Sequence, residues 1–548
     1  MNVDVMAKPG SRTGMGENEY DVVVVGAGFA GLYQLHKLRQ KGFRVRLVDA
    51  ASGLGGIWQW NRYPGARVDS HGALYQYSDP ELWKDWDFKE LYPDWQELRE
   101  YFNYVDSKWD LSKDIDLNTR VTGADFDESS RKWTVHTQGG KDYVTRFFVL
   151  CTGFAAKPYV PPFEGIESFQ GQIHHTGLWP QEGVDMKGKR VAVIGMGASG
   201  VQVVQEAGAE AAHTTHFVRT PCLAIPMWQR QMTPEDNARA RAEMAADMDR
   251  RSKTFGGFNY DFQDVGVFEV DEARRNEIFE SIWKQGGFWW WLNNFKDVLF
   301  DEKANRAQYD FWRSKVVARI KDPRLAEIYA PVEPPHPYGV KRPSLEQNFY
   351  EVIQQDNVDV VDLKSEKIVR FTEKGIQTDK GEYEFDIIVL ATGFDAVSGG
   401  LTSLDIHGTD GRTIGEKWQD GIRTQLGLAT SGFPNLFFLY GPQSPSGFCN
   451  GPTAAETQGE VMVKILDKLA NEQVTRIEAQ PDAEEAWRKF CMEVTDMTLF
   501  PKANSWYMGA NIPGKPREML MYPAGLPSYL QACEKSISED LSGFTKAR

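Results

Sequence analysis

Residues 20–49 and 190–218 each read as strand, glycine-rich turn, helix and strand, the strands VLCTGF and VLATGF echo one another at 149–154 and 389–394, and residues 231–329 carry few β signals. Together these observations predict an α/β fold of two Rossmann-like dinucleotide-binding domains with a helical insertion.

The elements follow in order. YDVVVV (20–25) is β-branched and bounded by glycine, residues 29–41 have helix-favouring spacing, and RVRLVD (44–49) alternates as a strand again. RVAVIG (190–195), a helix from Ala198 to about Ala209, and THFV (215–218) repeat the plan. The twin Thr-Gly exits predict that one dinucleotide domain is interrupted by the other, the chain crossing near 153 and returning near 393. RARAEMAADMDRR, DEARRNEIFESIWK and NRAQYDFWRSKVVARI predict the helices of the insertion, and the charged run in 236–253 reads as a solvated helix face. After Gly393 a strand is expected at 435–440, a glycine- and proline-rich loop at 441–452, and helices near 453–471 and 483–498. Residues 1–19 lack the apolar core of a signal peptide and read as a flexible tail; no apolar run has membrane-spanning length.

The turns carry the chemistry. In GAGFAG (26–31), Gly26 makes the turn, Gly28 lets a pyrophosphate approach, and Gly31 lets helix and strand pack closely, with the free N–H groups of the helix facing the phosphates. Asp49, ending the next strand, is placed to accept from a ribose diol. GMGASG (195–200) repeats the loop through Gly195, Gly197 and Gly200, with Ala198 and Ser199 opening the helix. Where the first unit has Asp49, the second has Arg219 followed by Thr220. A carboxylate repels a 2′-phosphate and a guanidinium binds it, so the second site should prefer NADP over NAD.

A net charge of −15 argues against nucleic-acid and anionic-membrane partners and favours a small neutral or polar substrate. Five scattered cysteines without a CxxC suggest neither a disulfide framework nor a dithiol centre and fit a reducing cytoplasm. His174-His175 lacks further ligands at zinc spacing, so no metal is expected. Phe288-Trp289-Trp290-Trp291 reads as core or interface.

GGIWQWNRYPGARVD (55–69) resembles the long fingerprint of type I Baeyer–Villiger monooxygenases, [AG]GxWxxxx[FY]P[GM]xxxD, through Gly55, Gly56, Trp58, Tyr63, Pro64, Gly65 and Asp69. FQGQIHHTGLWP (169–180) resembles the family's shorter one, FxGxxxHxxxW[PD], through Phe169, Gly171, His175, Trp179 and Pro180. YGVKRP (338–343), LATGFDA (390–396) and SWYMGANIPGKPR (505–517) extend the resemblance over nearly the whole chain. Cys151 before Thr-Gly, and GFAAKP after it, depart from the family's usual residues.

The resemblance implies that FAD occupies the first site and NADPH the second. NADPH reduces the flavin, oxygen adds at its C4a atom, and the peroxyflavin attacks a ketone to give an ester or lactone. Arg342 is similar to the family's catalytic arginine, a permanent cation that stabilises an anion without protonating it. Asp69 would orient it and offset its burial cost, and Lys341 would share the 2′-phosphate with Arg219. By the same resemblance Gly56, Ile57, Trp58, Arg67, Asp69, Tyr75, Val121, Ala198, Ser199 and Gln202 contact the cofactors, and Trp506 lies on a mobile loop that closes over the nicotinamide. His175 is expected to make a positional hydrogen bond; residues 443–448 and Met227-Trp228 are expected to border the substrate pocket. The domains implied are 20–153 with 393–548 for FAD, 154–230 with 330–392 for NADP, and 231–329 as the insertion. The partners implied are a small-molecule ketone and O2; oligomeric state is left open. An N- or S-oxygenating flavin monooxygenase and an uncoupled NADPH oxidase are the alternatives, the first disfavoured because its shorter fingerprint ends in an aromatic and basic pair rather than Trp179-Pro180.

Overall fold

The computed structural model describes residues 16–548, so most of the expected tail, residues 1–15, lies outside the described residues. The first strand, Glu19–Val25, starts one residue earlier than expected because Glu19 pairs with Val144. Its Val22, Val23 and Val24 are fully buried, as a central strand covered on both faces requires. Val45–Val48 and Tyr143–Leu150 flank it in parallel. Beyond them the sheet adds Ile115–Asp116 on one side and the antiparallel strands Lys132–Thr137 and Val121–Asp127 on the other. Two strands from much later in the chain complete its eight: Leu436–Phe438 joins Tyr143–Leu150, and Asp405–His407 joins Val121–Asp127.

The second sheet is wholly parallel, in the order Val358–Asp362, His213–Val218, Arg190–Ile194, Ile387–Leu390 and Gln172–His175. Its strands lie between the two chain segments that form the first sheet. The echoing strands Tyr143–Leu150 and Ile387–Leu390 hold the same place, each beside the strand that feeds a glycine-rich turn. Their carbonyls press on those turns. A Cβ on Gly26 would stand 2.4 Å from the Cys151 oxygen, and one on Gly195 2.4 Å from the Ala391 oxygen. Both glycines also have φ near +110°, so sterics and backbone conformation require the same residue.

Helices cover the sheets: Phe29–Gln40, which packs on Gly451–Asn471, and Ala198–Glu210. Between the strands Ile225–Pro226 and Leu345–Glu346 the described chain is helical, with Pro234–Arg251, Glu272–Gln285, Glu302–Val317 and Pro323–Tyr329 as its main elements. Phe288, Trp290 and Trp291 are buried there. The charged face of Pro234–Arg251 is solvated except at its end, which corrects the reading of the whole run as wet. Arg251 is 2% exposed, ion-paired with Glu456 and donating to the carbonyls of Leu74 and Gln76. A guanidinium tolerates such burial only when paired, and its partner comes from a helix 205 residues away. No helix among the described residues is long and apolar enough to cross a membrane.

Candidate active site

Gly28 caps the helix Phe29–Gln40 with no side-chain bond and no acidic residue in the first turn, so its leading N–H groups are free for an anion. Gly56, at φ +56°, lies directly opposite: a Cβ there would stand 2.9 Å from Gly28 Cα. The backbones of the turn and the long fingerprint thus form a side-chain-free cradle that suits the pyrophosphate of FAD. Asp49 helps to hold its shape, accepting from Ala27 N at 2.5 Å and Ala51 N at 2.7 Å. Burial pushes its carboxyl up, against those two hydrogen bonds. Ile57 opens the short helix that follows the cradle, Trp58 Nε1 donates to the Tyr75 hydroxyl at 3.2 Å, and Val121 is buried at a strand start.

At the second turn Gly197 caps Ala198–Glu210, again without a side chain, and a Cβ on it would meet nothing within 4 Å. Ser199 Oγ donates to the Tyr63 hydroxyl at 3.0 Å, Tyr63 donates to Gln202 Oε1 at 2.7 Å, and Gln202 Nε2 donates to the Arg67 carbonyl at 3.3 Å. Ser199 and Gln202, expected as cofactor contacts, therefore also fasten the long fingerprint to the second loop. Arg67 directs Nη1 at Glu90, 2.8 Å away, and at the Tyr92 carbonyl. Arg219 is exposed at the end of His213–Val218, next to Thr220. No carboxylate of the described residues pairs with Arg219 or Lys341. Burial pushes the Lys341 ammonium down, Cys222 opposes this, and the like charge of Arg219 adds to it. Two unpaired cations acting on each other suit a phosphate dianion. A cavity of about 630 Å³, lined by Arg219, Val218, Glu327, Ile328 and Tyr383, opens alongside.

The long fingerprint ends in a charged pair. Arg342 Nε donates to Asp69 Oδ2 at 2.8 Å and Nη2 to Oδ1 at 3.0 Å, while Nη1 donates to the Gly447 carbonyl at 2.8 Å. Phe288 and Trp291 approach the guanidinium with ring centroids 4.6 and 5.7 Å away. Burial works to lower the Arg342 pKa, and the Asp69 charge and hydrogen bonds outweigh it, so the cation is held more firmly than usual. A fixed cation whose remaining N–H groups are shared only with the Tyr507 hydroxyl is suited to an anion that must not be protonated.

His175 Nε2 donates to the Gly393 carbonyl at 3.0 Å and Nδ1 accepts from Gly177 N, tying the shorter fingerprint to the returning crossover. Trp506 stacks on Phe154 at 5.6 Å, and its loop is fastened to the same crossover by Asn511 to the Phe394 carbonyl and Lys515 to Asp395, each at 2.8 Å. Met227 is buried, whereas Trp228 is 49% exposed over the end of Glu272–Gln285. The aromatic packing on Arg342, and Tyr507 donating to the Gly447 carbonyl, had no signature in the sequence. Each is made by segments distant in the chain.

Residues 19–225 match the model of the flavin-binding monooxygenase-like family. The chain is 54% identical to cyclopentanone 1,2-monooxygenase of Comamonas sp. over 97% of its own length and 96% of the relative's. It is 39% identical to the methyl acetate-forming acetone monooxygenase of Gordonia sp., with 97% and 99% covered. Among solved structures, cyclohexanone monooxygenase from Rhodococcus sp. Phi1 bound to NADP+ superposes with a TM-score of 0.93 at 36% identity, covering 97% of this chain and 99% of that one. With both fingerprints in place and such identity sustained end to end, the chain belongs to the type I Baeyer–Villiger monooxygenases, the FAD- and NADPH-dependent branch of the flavin-binding monooxygenases.

Proposed function

We propose that this enzyme inserts one atom of O2 beside the carbonyl of a small ketone, and that Arg342 and Asp69 are its catalytic pair. The carrying observation is the two-point Arg342–Asp69 fork, at the end of the fingerprint segment that touches the first glycine turn through Gly56 and the second through Tyr63 and Arg67. When bound, FAD and NADPH supply the reducing equivalents and the activation of oxygen. The protein supplies the rest. Asp69 aims the guanidinium and keeps its charge in place; Arg342 presents its remaining N–H groups to negative charge at the reacting centre. Because an arginine does not release its proton, the anion stays nucleophilic towards a ketone carbonyl. Trp506, stacked on Phe154, closes one side against water.

Gly26, Gly28, Gly31, Asp49, Gly56, Ile57, Trp58, Asp69, Tyr75 and Val121 are assigned to FAD. Gly195, Gly197, Ala198, Ser199, Gly200, Gln202, Arg219, Thr220, Lys341, Arg67 and Trp506 are assigned to NADP, with Arg219 and Lys341 on the 2′-phosphate. The domain ranges 20–153 with 393–548, 154–230 with 330–392, and 231–329 follow from that division, supported by the membership of the two sheets. The ketone assignment draws on the relatives that act on cyclopentanone and acetone. A cytoplasmic setting is supported by five free cysteines. The test is a panel of linear, cyclic and aromatic ketones with NADPH and isotope-labelled O2. One labelled atom in an ester or lactone is expected; hydrogen peroxide alone, with no labelled ester or lactone from any ketone, overturns the reading.

A further inference from the structure

We propose that His216 is a positioning residue for the NADP-binding loop and that Tyr329, from the helical insertion, holds it in the required tautomer. His216 lies in the middle of His213–Val218, fully buried. Its Nε2 is 3.1 Å from the carbonyl of Gly195, the first glycine of the second loop, and its Nδ1 is 2.9 Å from the Tyr329 hydroxyl. A carbonyl can only accept, so Nε2 carries the proton and Nδ1 accepts from the phenol. The ring is clamped between Tyr329, stacked at 6.0 Å, and Phe349, edge-on at 6.0 Å. Burial keeps it neutral, in keeping with one donor and one acceptor.

The two nucleotide-binding units provide their own control. His216 pairs with Val193, two residues before Gly195; in the first unit Leu47 pairs with Val24, two residues before Gly26. Leu47 lies beside Gly31, so the same place in the first loop is filled by an apolar side chain that offers no hydrogen bond. In each unit the last glycine of the loop lets its helix press on the first glycine's carbonyl, 2.1 Å from a Cβ on Gly200 and 1.8 Å from one on Gly31. Among the described residues, only in the second loop is that carbonyl also held by a side chain. Tyr329 ends the helix Pro323–Tyr329, whose Glu327 and Ile328 line the cavity beside Arg219. One insertion helix therefore braces the loop through His216 and walls the space next to the proposed 2′-phosphate site, which makes the geometry of the NADP loop depend on how the insertion docks.

This inference rests on the assignment of the second loop to NADP. The test is calorimetric titration of the purified oxidised holoenzyme with NADP+, for His216→Leu, which installs the first unit's own solution, and for Tyr329→Phe. Loss of a buried hydrogen bond of ordinary strength should weaken NADP+ binding about two- to tenfold in each. Bound FAD, ketone KM and kcat at saturating NADPH should stay at wild-type values, and amide exchange should rise in residues 195–200. The double variant should bind NADP+ no more weakly than His216→Leu alone. An unchanged NADP+ affinity in either single variant, additive effects in the double, or parallel loss of FAD overturns the proposal. Arg219→Ala separates the two claims: if it too leaves NADP+ binding unchanged, the NADP assignment itself fails; if it weakens binding while the His216 and Tyr329 variants do not, only the bracing role is lost.

Discussion

Replacing Arg342 by alanine separates the proposed anion-stabilising role from cofactor reduction. A guanidinium has five N–H groups, and here three are committed: two to Asp69 and one to the Gly447 carbonyl. One on Nη1 and one on Nη2 remain for the reacting anion, with the Tyr507 hydroxyl sharing the guanidinium. A single preorganised donor of this kind is worth about 10²- to 10³-fold in rate, so losing both together with the charge should slow ester formation by at least about 10³-fold, or about 4 kcal/mol of barrier. Reduction of the flavin should change little, because the cofactor cradles are built from other residues. Anaerobic stopped-flow absorbance measures flavin reduction by NADPH, and gas chromatography measures ester under air. The expected result is near-normal bleaching with NADPH consumption diverted to hydrogen peroxide. Ester formed at a comparable rate, or flavin reduction slowed by the same factor as ester formation, refutes the role assigned to Arg342.

Gly56→Ala puts a Cβ 2.9 Å from Gly28 Cα at a positive φ, so the purified protein should carry visibly less flavin, with FAD affinity down about tenfold or more; full flavin occupancy contradicts the cradle. Stability should fall as pH drops from about 6.5 towards 4, because burial pushes His36, His71, His216 and His336 to about 4 in the folded state and unfolding lets each take up a proton. Glu97, pushed up to about 7 by burial, acts the other way over about 4.5 to 7. These five groups alone contribute a loss of about 3 kcal/mol between pH 6 and 5, at roughly 1.4 kcal/mol for each net proton, reduced by buried carboxyls that burial also pushes up, Asp49, Glu346, Glu456 and Glu518 among them; urea midpoints at pH 6.5 and 5 measure it, and a midpoint that rises on acidification would refute it.

The parts legible in the sequence are those whose signal is local. A strand that must be buried on both faces is a run of valines, and a turn that must approach a phosphate is glycine at fixed spacing, so both nucleotide-binding units could be read within a residue or two of their observed bounds. The long fingerprint likewise brings Asp69 into view, and the YGVKRP match Lys341 and Arg342, because the chemistry there tolerates few residue types.

What the tertiary structure alone decided are contacts made across long stretches of chain. Arg251 looked like the end of a solvated run and is buried on Glu456. Phe288 and Trp291 looked like core and also face Arg342, whose third hydrogen bond goes to a backbone carbonyl that leaves no mark on residue type. His216 looked like one more strand residue, and only the meeting of His213–Val218 with the insertion joins it to both Tyr329 and Gly195. Spacing encodes which face a residue shares with its neighbours three or four positions away. The element that packs against that face is chosen by the whole fold, through burial and the pairing of polar groups that burial demands.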